Sequence, residues 1–292
     1  MRRHIKYQRV GLHVSAAGGV QNAPENAKNL GAEVFQFFSR SPRGGPAPAI
    51  SDAQAREFKE KCKQNGFESY IHTPYYINFA SKKKSLREAA PRIVREELLR
   101  GSLLGVKYVM THLGSAKEYA GATTERTPNE ALNATAEGIL HIYAGTAPFS
   151  TQLLLEISAG AGSVIGDTFE ELAYILKRVG RKDVHICLDT CHMFASGYDL
   201  RTGEAIDTTM KEFRTRLGIA QLKLVHINDS KTGLREHKDR HEHIGKGAIG
   251  EEGFKALLRH NDFQKVNFVL ETKHDTLIHD DLKFLKANRT QQ

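Results

Sequence analysis

Short apolar runs punctuate the chain at near-regular intervals, over residues 10–14, 34–38, 69–72, 107–112, 152–157, 184–189, 223–228 and 267–271. Most are continuous rather than alternating, the pattern of strands buried on both faces of a parallel sheet. Between them lie polar, amphipathic stretches long enough for helices, clearest at 54–64, 128–144, 169–179 and 210–217. Ser51 and Asp167-Thr168 suit helix N-caps, and Gly31, Gly66, Gly105, Gly145, Gly180 and Gly218 suit helix ends. Eight strands alternating with helices, without a long linker or low-complexity tract, predict one domain over 1–292, a single (β/α)8 TIM barrel. A doubly wound open sheet would alternate too, but no glycine-rich dinucleotide turn follows the first strand.

Composition narrows this only a little. Hydrophobic residues make up 40% of 292, enough for one large core, and no run of about 18 apolar residues predicts a membrane span. The N-terminal MRRHIKYQRVGLHVS lacks the apolar centre of a signal peptide. Three cysteines do not make a disulfide framework, so a reducing cytoplasm fits best. The net charge of +8 favours polyanionic partners, although many soluble proteins carry such an excess without binding nucleic acid.

The chemistry-bearing residues change the picture more. His226, His237, His241 and His243 stand with Asp229, Asp239, Glu236 and Glu242 within twenty residues, a mixture that suits zinc or a similar divalent metal. In a barrel, active sites form at the carboxyl ends of the strands. His72, His112, Glu156, Asp189, His226 and Glu271 fall at or near six consecutive strand ends. His192 follows Asp189 by three residues, and Asp239 and His241, two apart, share one side of an extended segment. Nine candidates exceed the needs of one tetrahedral zinc and predict two or three metals with one bridging carboxylate. Closely spaced metals suit phosphodiester cleavage, since they supply hydroxide near neutral pH and stabilise charge on the departing oxygen. His13 ends the first strand and is expected to face the site without being a ligand. His4, His141, His185, His260, His274 and His279 are set aside. Asp229, His237 and His243 are expected to be supporting residues, and Cys187 and Cys191 to be buried inert thiols.

GLHVSAAGGV, IHTPYYINFA, THLGS, LLLEISAGAG, ICLDTCHMFASGYD, VHINDSK, DRHEHIGKGAIG and LET occur in order between about residues 10 and 275. In these motifs the sequence resembles the endonuclease IV family of apurinic/apyrimidinic endonucleases. The resemblance implies a barrel with three Zn2+ ions per chain. His72, His112 and Glu156 would hold the first. Glu156 would bridge to a second, completed by Asp189, His226 and Glu271, and His192, Asp239 and His241 would hold the third. Glu156 and Glu271 would be the catalytic carboxylates. The implied reaction cleaves double-stranded DNA on the 5′ side of an abasic site, leaving a 3′-hydroxyl and a 5′-deoxyribose phosphate, and trims blocked 3′ ends. Arg43 and Tyr75 match family positions that enter the DNA at the lesion, and a monomer is expected. The chain departs from the family pattern in having no tryptophan after Arg43, Ile157 after the bridging glutamate, and Arg235-Glu236 in place of Gly-Ser. A sugar isomerase or epimerase on a related metal barrel is the alternative, and a DNA-binding protein with purely structural metals is a third reading.

Overall fold

The computed structural model describes residues 8–145 and 148–290. Eight parallel strands close into a barrel: β1 (Val10–Val14), β2 (Val34–Phe37), β3 (Glu68–His72), β4 (Tyr108–Thr111), β5 (Gln152–Glu156), β6 (Val184–Asp189), β7 (Leu222–His226) and β10 (Asn267–Leu270). Each pairs with the strands before and after it, and β1 closes the ring against β10 and β2. A two-stranded antiparallel ribbon, β8 (Asp229–Ser230) with β9 (His241–Glu242), sits over the β7 end. The helices are α1 (Ala23–Asn29), α2 (Asp52–Asn65), α3 (Lys84–Leu104), α4 (Asn129–Tyr143), α5 (Phe169–Val179), α6 (Thr190–Ser196), α7 (Gly203–Arg216), α8 (Gly250–Arg259) and α9 (Ile278–Asn288).

Local chemistry accounts for several boundaries. Ser51 and Gln54 form a reciprocal capping box at the start of α2, and Gly66 closes that helix in the left-handed conformation. Thr168 caps α5 through the Glu171 amide. The helix expected at 210–217 begins earlier, at Gly203, because the Thr202 hydroxyl accepts the Ala205 amide. α3 was not among the clearest helical stretches, since Pro91 inside it interrupts the helical signal. Five expected strands end one or two residues sooner: β2 stops at Phe37, β4 at Thr111, β5 at Glu156, β7 at His226 and β10 at Leu270. At the last of these the Glu271 amide leaves the ladder for the Asn228 side chain, 2.8 Å away.

Side-chain parity sorts the core. Val34, Tyr70, Tyr108, Met110, Leu154, Cys187, Leu224 and Val269 form one buried cluster drawn from seven strands, which only a barrel interior can assemble. Their strand neighbours, such as Phe35, Ile71, Val109, Leu155, Leu188 and Val225, belong to the larger apolar layer under the helices. Because side chains alternate, residues two positions beyond the inner cluster point inward as well, one storey nearer the carboxyl face. That storey holds the polar chemistry.

Candidate metal centre

Counting two residues on from the last inner position of each of the seven strands gives Gln36, His72, His112, Glu156, Asp189, His226 and Glu271. Gly11 of β1 leads in the same way to His13. One polar side chain from each of the eight strands or strand ends thus rings the barrel mouth. The six strand-end residues expected from the sequence are all in this ring, and so is His13. Gln36 was missed, although a lone amide in the apolar run Val34-Phe-Gln-Phe at the same parity was a usable signal.

The ring is densely coupled. Glu156 is fully buried, and its Oε2 lies 3.8 Å from His72 Nε2 and 3.3 Å from His112 Nδ1. Its Oε1 lies 2.8 Å from His226 Nδ1 and 3.6 Å from His192 Nδ1. His226 Nδ1 is also 3.1 Å from Glu271 Oε2 and 3.9 Å from Asp189 Oδ2. Asp189 and His226 are direct partners in the β6–β7 ladder, which sets them side by side.

The third group comes from connections rather than strands. Asp189 accepts the His192 amide and so caps α6, turning His192 back toward the mouth. The β8–β9 ribbon brings His241 opposite, and the amides of Arg235 and His237 bond the Phe194 and Ala195 carbonyls at the end of α6. Asp239 Oδ1 then lies 3.3 Å from His192 Nε2 and 3.4 Å from His241 Nε2, with the two nitrogens 3.4 Å apart. Arg235 and His237 both have positive φ, 63° and 54°, a conformation that favours glycine. The Arg235 departure therefore adds backbone strain beside this group.

Candidate ligand atoms within 4.8 Å of one another form the groups His72/His112/Glu156, Glu156/Asp189/His226/Glu271 and His192/Asp239/His241. A further combination, Asp189/Cys191/His241, includes a thiol that burial pushes up to about 12. Burial likewise pushes Cys187 up to about 11. Both thiols are free and fully buried, as expected of inert packing residues.

The groups fit cations on their own geometry. Glu156 Oε2 is buried without a hydrogen-bond partner, a costly state for a carboxylate that a bound cation would relieve. His72 directs Nδ1 at the Thr73 carbonyl, 2.5 Å away, and His192 directs Nδ1 at the Ile157 carbonyl, 2.9 Å away. Donation there leaves each Nε2 lone pair facing carboxylates, the arrangement of a metal-binding imidazole held from behind. Burial works against ionising Glu156, yet His112 and His226 overcome it and hold the carboxyl at about 2. Burial also opposes charge on His192, but Asp189 and Asp239 outweigh it and raise it well above the usual histidine range. A cation would displace that proton.

Supporting residues emerge that the sequence reading did not single out, or left without a partner. Asn228 is buried, donating to Asp189 Oδ2 at 2.6 Å while its Oδ1 receives the Glu271 amide. Asp229 anchors the turn into α8 through the amides of Ser230, Gly245, Gly247, Ile249 and Gly250. His243 turns away from the centre to Asp281 (2.6 Å) and Asp275 (3.2 Å). His274, set aside as a ligand, nonetheless lines a mouth cavity of about 380 Å3 with His13, Tyr75 and Glu271. His4 lies outside the described residues. Tyr75 is 62% exposed at the rim, its ring 5.2 Å from Phe38 and 5.6 Å from His72, while Arg43 is exposed on the loop between β2 and α2.

Behind the third group a polar cavity of about 530 Å3 is bounded by Asp167, Ser196, Arg235 and His237. Burial, with Glu171 nearby, pushes Asp167 up to about 7. The fold therefore favours its protonated form. The stability this provides is complete below the unfolded value near 4 and is lost as pH rises through about 7. Asp167→Asn is expected to raise the melting temperature at pH 8, by on the order of 2 kcal/mol in stability, with the gain vanishing at pH 4. Parallel melting curves at the two pH values check this.

The sequence model of the xylose isomerase-like TIM barrel family matches residues 24–288. The probable endonuclease 4 of Campylobacter curvus is 38% identical over 281 residues, covering 95% of this chain and 96% of the relative. The chain belongs to the endonuclease IV family. The family's probable endonuclease 4 from Aquifex aeolicus is also 38% identical, over 90% of each chain. Endonuclease IV from Thermus thermophilus superposes with a TM-score of 0.83 at 32% identity, covering 96% of this chain and 98% of that one. A D-tagatose 3-epimerase-like protein superposes at 0.74 with 18% identity, covering 96% and 97%, and shares the fold alone. The enzyme is thus an endonuclease with residue groups suited to metal binding. No helix among the described residues is long and apolar enough to cross a membrane.

Proposed function

We propose that this endonuclease is a zinc-dependent DNA-repair enzyme. It hydrolyses the phosphodiester 5′ to an abasic site, leaving a 3′-hydroxyl and a 5′-deoxyribose phosphate, and trims blocked 3′ ends. The observation that carries the reading is the convergence of nine side chains into three ligand groups, two of them sharing Glu156. His72, His112 and Glu156 would hold one ion, Glu156, Asp189, His226 and Glu271 a second, and His192, Asp239 and His241 a third. Imidazole nitrogen with carboxylate oxygen is a donor set that suits zinc. When bound, such ions supply hydroxide at neutral pH and offset charge on the attacked phosphorus and the leaving oxygen. Glu156 and Glu271 are the catalytic carboxylates in this reading.

The protein's own part is selection and placement. A cavity of about 520 Å3 runs from Tyr75 and Ile77 past Ala159 and Val164 to His112, His192 and Asp239. Its apolar wall suits the sugar of an extruded nucleotide, and its inner end brings the adjoining phosphate to the ligand groups. Extrusion costs least where no base stacks, so an abasic nucleotide is favoured. Tyr75 stands at the entrance to fill the vacated stack, and Arg43 on the neighbouring loop is assigned to the same DNA face. Tyr75→Ala is expected to lower the preference for abasic over intact duplex roughly 5- to 150-fold, the range of about 1–3 kcal/mol for stacking on an aromatic side chain. Competition binding checks this, and unchanged selectivity would remove Tyr75 from the role.

The deciding experiment combines metal analysis with cleavage of a duplex carrying one tetrahydrofuran abasic analogue. About three zincs per chain and a nick ending in a 3′-hydroxyl are expected. A fully metallated protein that leaves the duplex intact would sink the proposal. Turnover of a ketose by that same preparation would then support the epimerase alternative.

A further inference from the structure

Gln36 is the one member of the barrel-mouth ring that can neither ionise nor serve as an ordinary zinc ligand, yet it is fully buried there. Its Oε1 lies 2.9 Å from His226 Nε2. Its Nε2 lies 2.6 Å from Glu271 Oε1 and 3.0 Å from His13 Nδ1. The orientation of the amide is forced. Reversing it would set two oxygens 2.6 Å apart at Glu271 and turn the amide nitrogen, a donor only, toward His226 Nε2. Each of the two amide hydrogens has an acceptor, and the carbonyl has a donor.

This one amide fixes three neighbours. His226 must carry its proton on Nε2 to donate to Gln36, so its lone pair sits on Nδ1, the atom facing Glu156, Asp189 and Glu271. His13 must offer a Nδ1 lone pair, so its proton is on Nε2. Glu271 is tethered through Oε1, which leaves Oε2 turned toward His226. We infer that Gln36 is a positioning residue that sets the tautomers of His226 and His13 and aims Glu271, thereby organising the second ion's ligands from behind. The inference rests on the reading of His226 and Glu271 as ligands of one ion.

No other residue type supplies this combination. Glutamate could accept from His226 but would face Glu271 with a second negative charge. Leucine fills the volume but leaves the buried His226 N–H and the part-buried Glu271 oxygen without this partner. Asparagine is a methylene shorter and cannot span the same pair.

The test uses the full-length protein with zinc as the probe. Imidazole 15N resonances of the zinc-loaded wild type are expected to show His226 protonated on Nε2 and His13 protonated on Nε2. The opposite tautomer at His226 overturns the inference without any variant. In chelator competition, Gln36→Leu is expected to weaken one ion about 10- to 100-fold and leave the other two unchanged, the usual scale for groups that hold a ligand from behind. Gln36→Glu keeps an acceptor for His226 but none of the donation to Glu271. It should preserve the His226 tautomer while still weakening that ion, and it carries the test should Gln36→Leu fail to fold. His226→Ala separates the two readings. If it binds as many ions as the wild type, the ligand assignment itself fails. If it loses one ion while both Gln36 variants bind zinc as tightly as wild type, only the positioning role of Gln36 is overturned.

Discussion

Glu156→Gln is expected to lower cleavage of abasic duplex by roughly two to four orders of magnitude and to cut bound zinc from about three per chain to about one. The substitution changes shape very little but removes the carboxylate shared by the His72/His112 group and the Asp189/His226/Glu271 group. Ring nitrogens of His72, His112 and His226 approach its two oxygens at 3.8, 3.3 and 2.8 Å. Breaking a buried charge pair from one side costs about 3–5 kcal/mol, which sets the expected range. The His192/Asp239/His241 group contains no atom of Glu156 and should keep its ion. Metal analysis with single-turnover cleavage reads both effects. Wild-type metal content would show that Glu156 bridges nothing, and undiminished turnover would take it out of the mechanism.

The largest stability loss is expected from Asp229→Ala, about 3–5 kcal/mol, or roughly 6–15 °C in melting temperature for a chain of this size. The fully buried Asp229 carboxylate gathers five amides between Ser230 and Gly250 at 2.8 to 3.3 Å. Removing it leaves several buried N–H groups without acceptors, each costing about 1–3 kcal/mol, partly recovered where water enters. The packing is close enough that Gly247 admits no side chain. A Cβ there would lie 2.3 Å from the Ser230 carbonyl oxygen and 2.6 Å from Asp229 Oδ1. Because Asp229 also begins the ribbon that carries His241, the variant should weaken the third ion as well. Calorimetric melting with and without zinc checks the prediction. A variant melting within a degree or two of wild type would show that the turn into α8 holds itself.

Much of this architecture is legible in the chain before it folds. The continuous apolar runs specify eight two-face-buried strands, since such a run is stable only when covered on both sides. Caps such as Ser51 and Thr168 are local events, fixed by a side chain and an amide three residues away, and they fall where the sequence places them. The six strand-end ligand candidates are legible for the same reason: strand position is a local property, and the motifs around them carry the family resemblance. Helix α3 was harder to read, because Pro91 interrupts the helical signal that packing against its neighbours then overrides.

What the sequence determined by itself is therefore the barrel, the family and the ligand residue types. Only the tertiary structure decided which of those side chains converge at the mouth and what holds them. Gln36 and His226 are 190 residues apart and Gln36 and Glu271 235, and no local pattern relates them. Their contact exists because closing the barrel between β1 and β10 brings the first two strands against the last. His237 and His243, alike among the histidines of one short segment, are parted by different packing partners, one held by the end of α6 behind the third group and the other bound to α9 through Asp281. Hydrophobic pattern sets direction along a strand, but distance across the mouth is set by how the strands tilt and register in the closed ring. Those distances decide the chemistry.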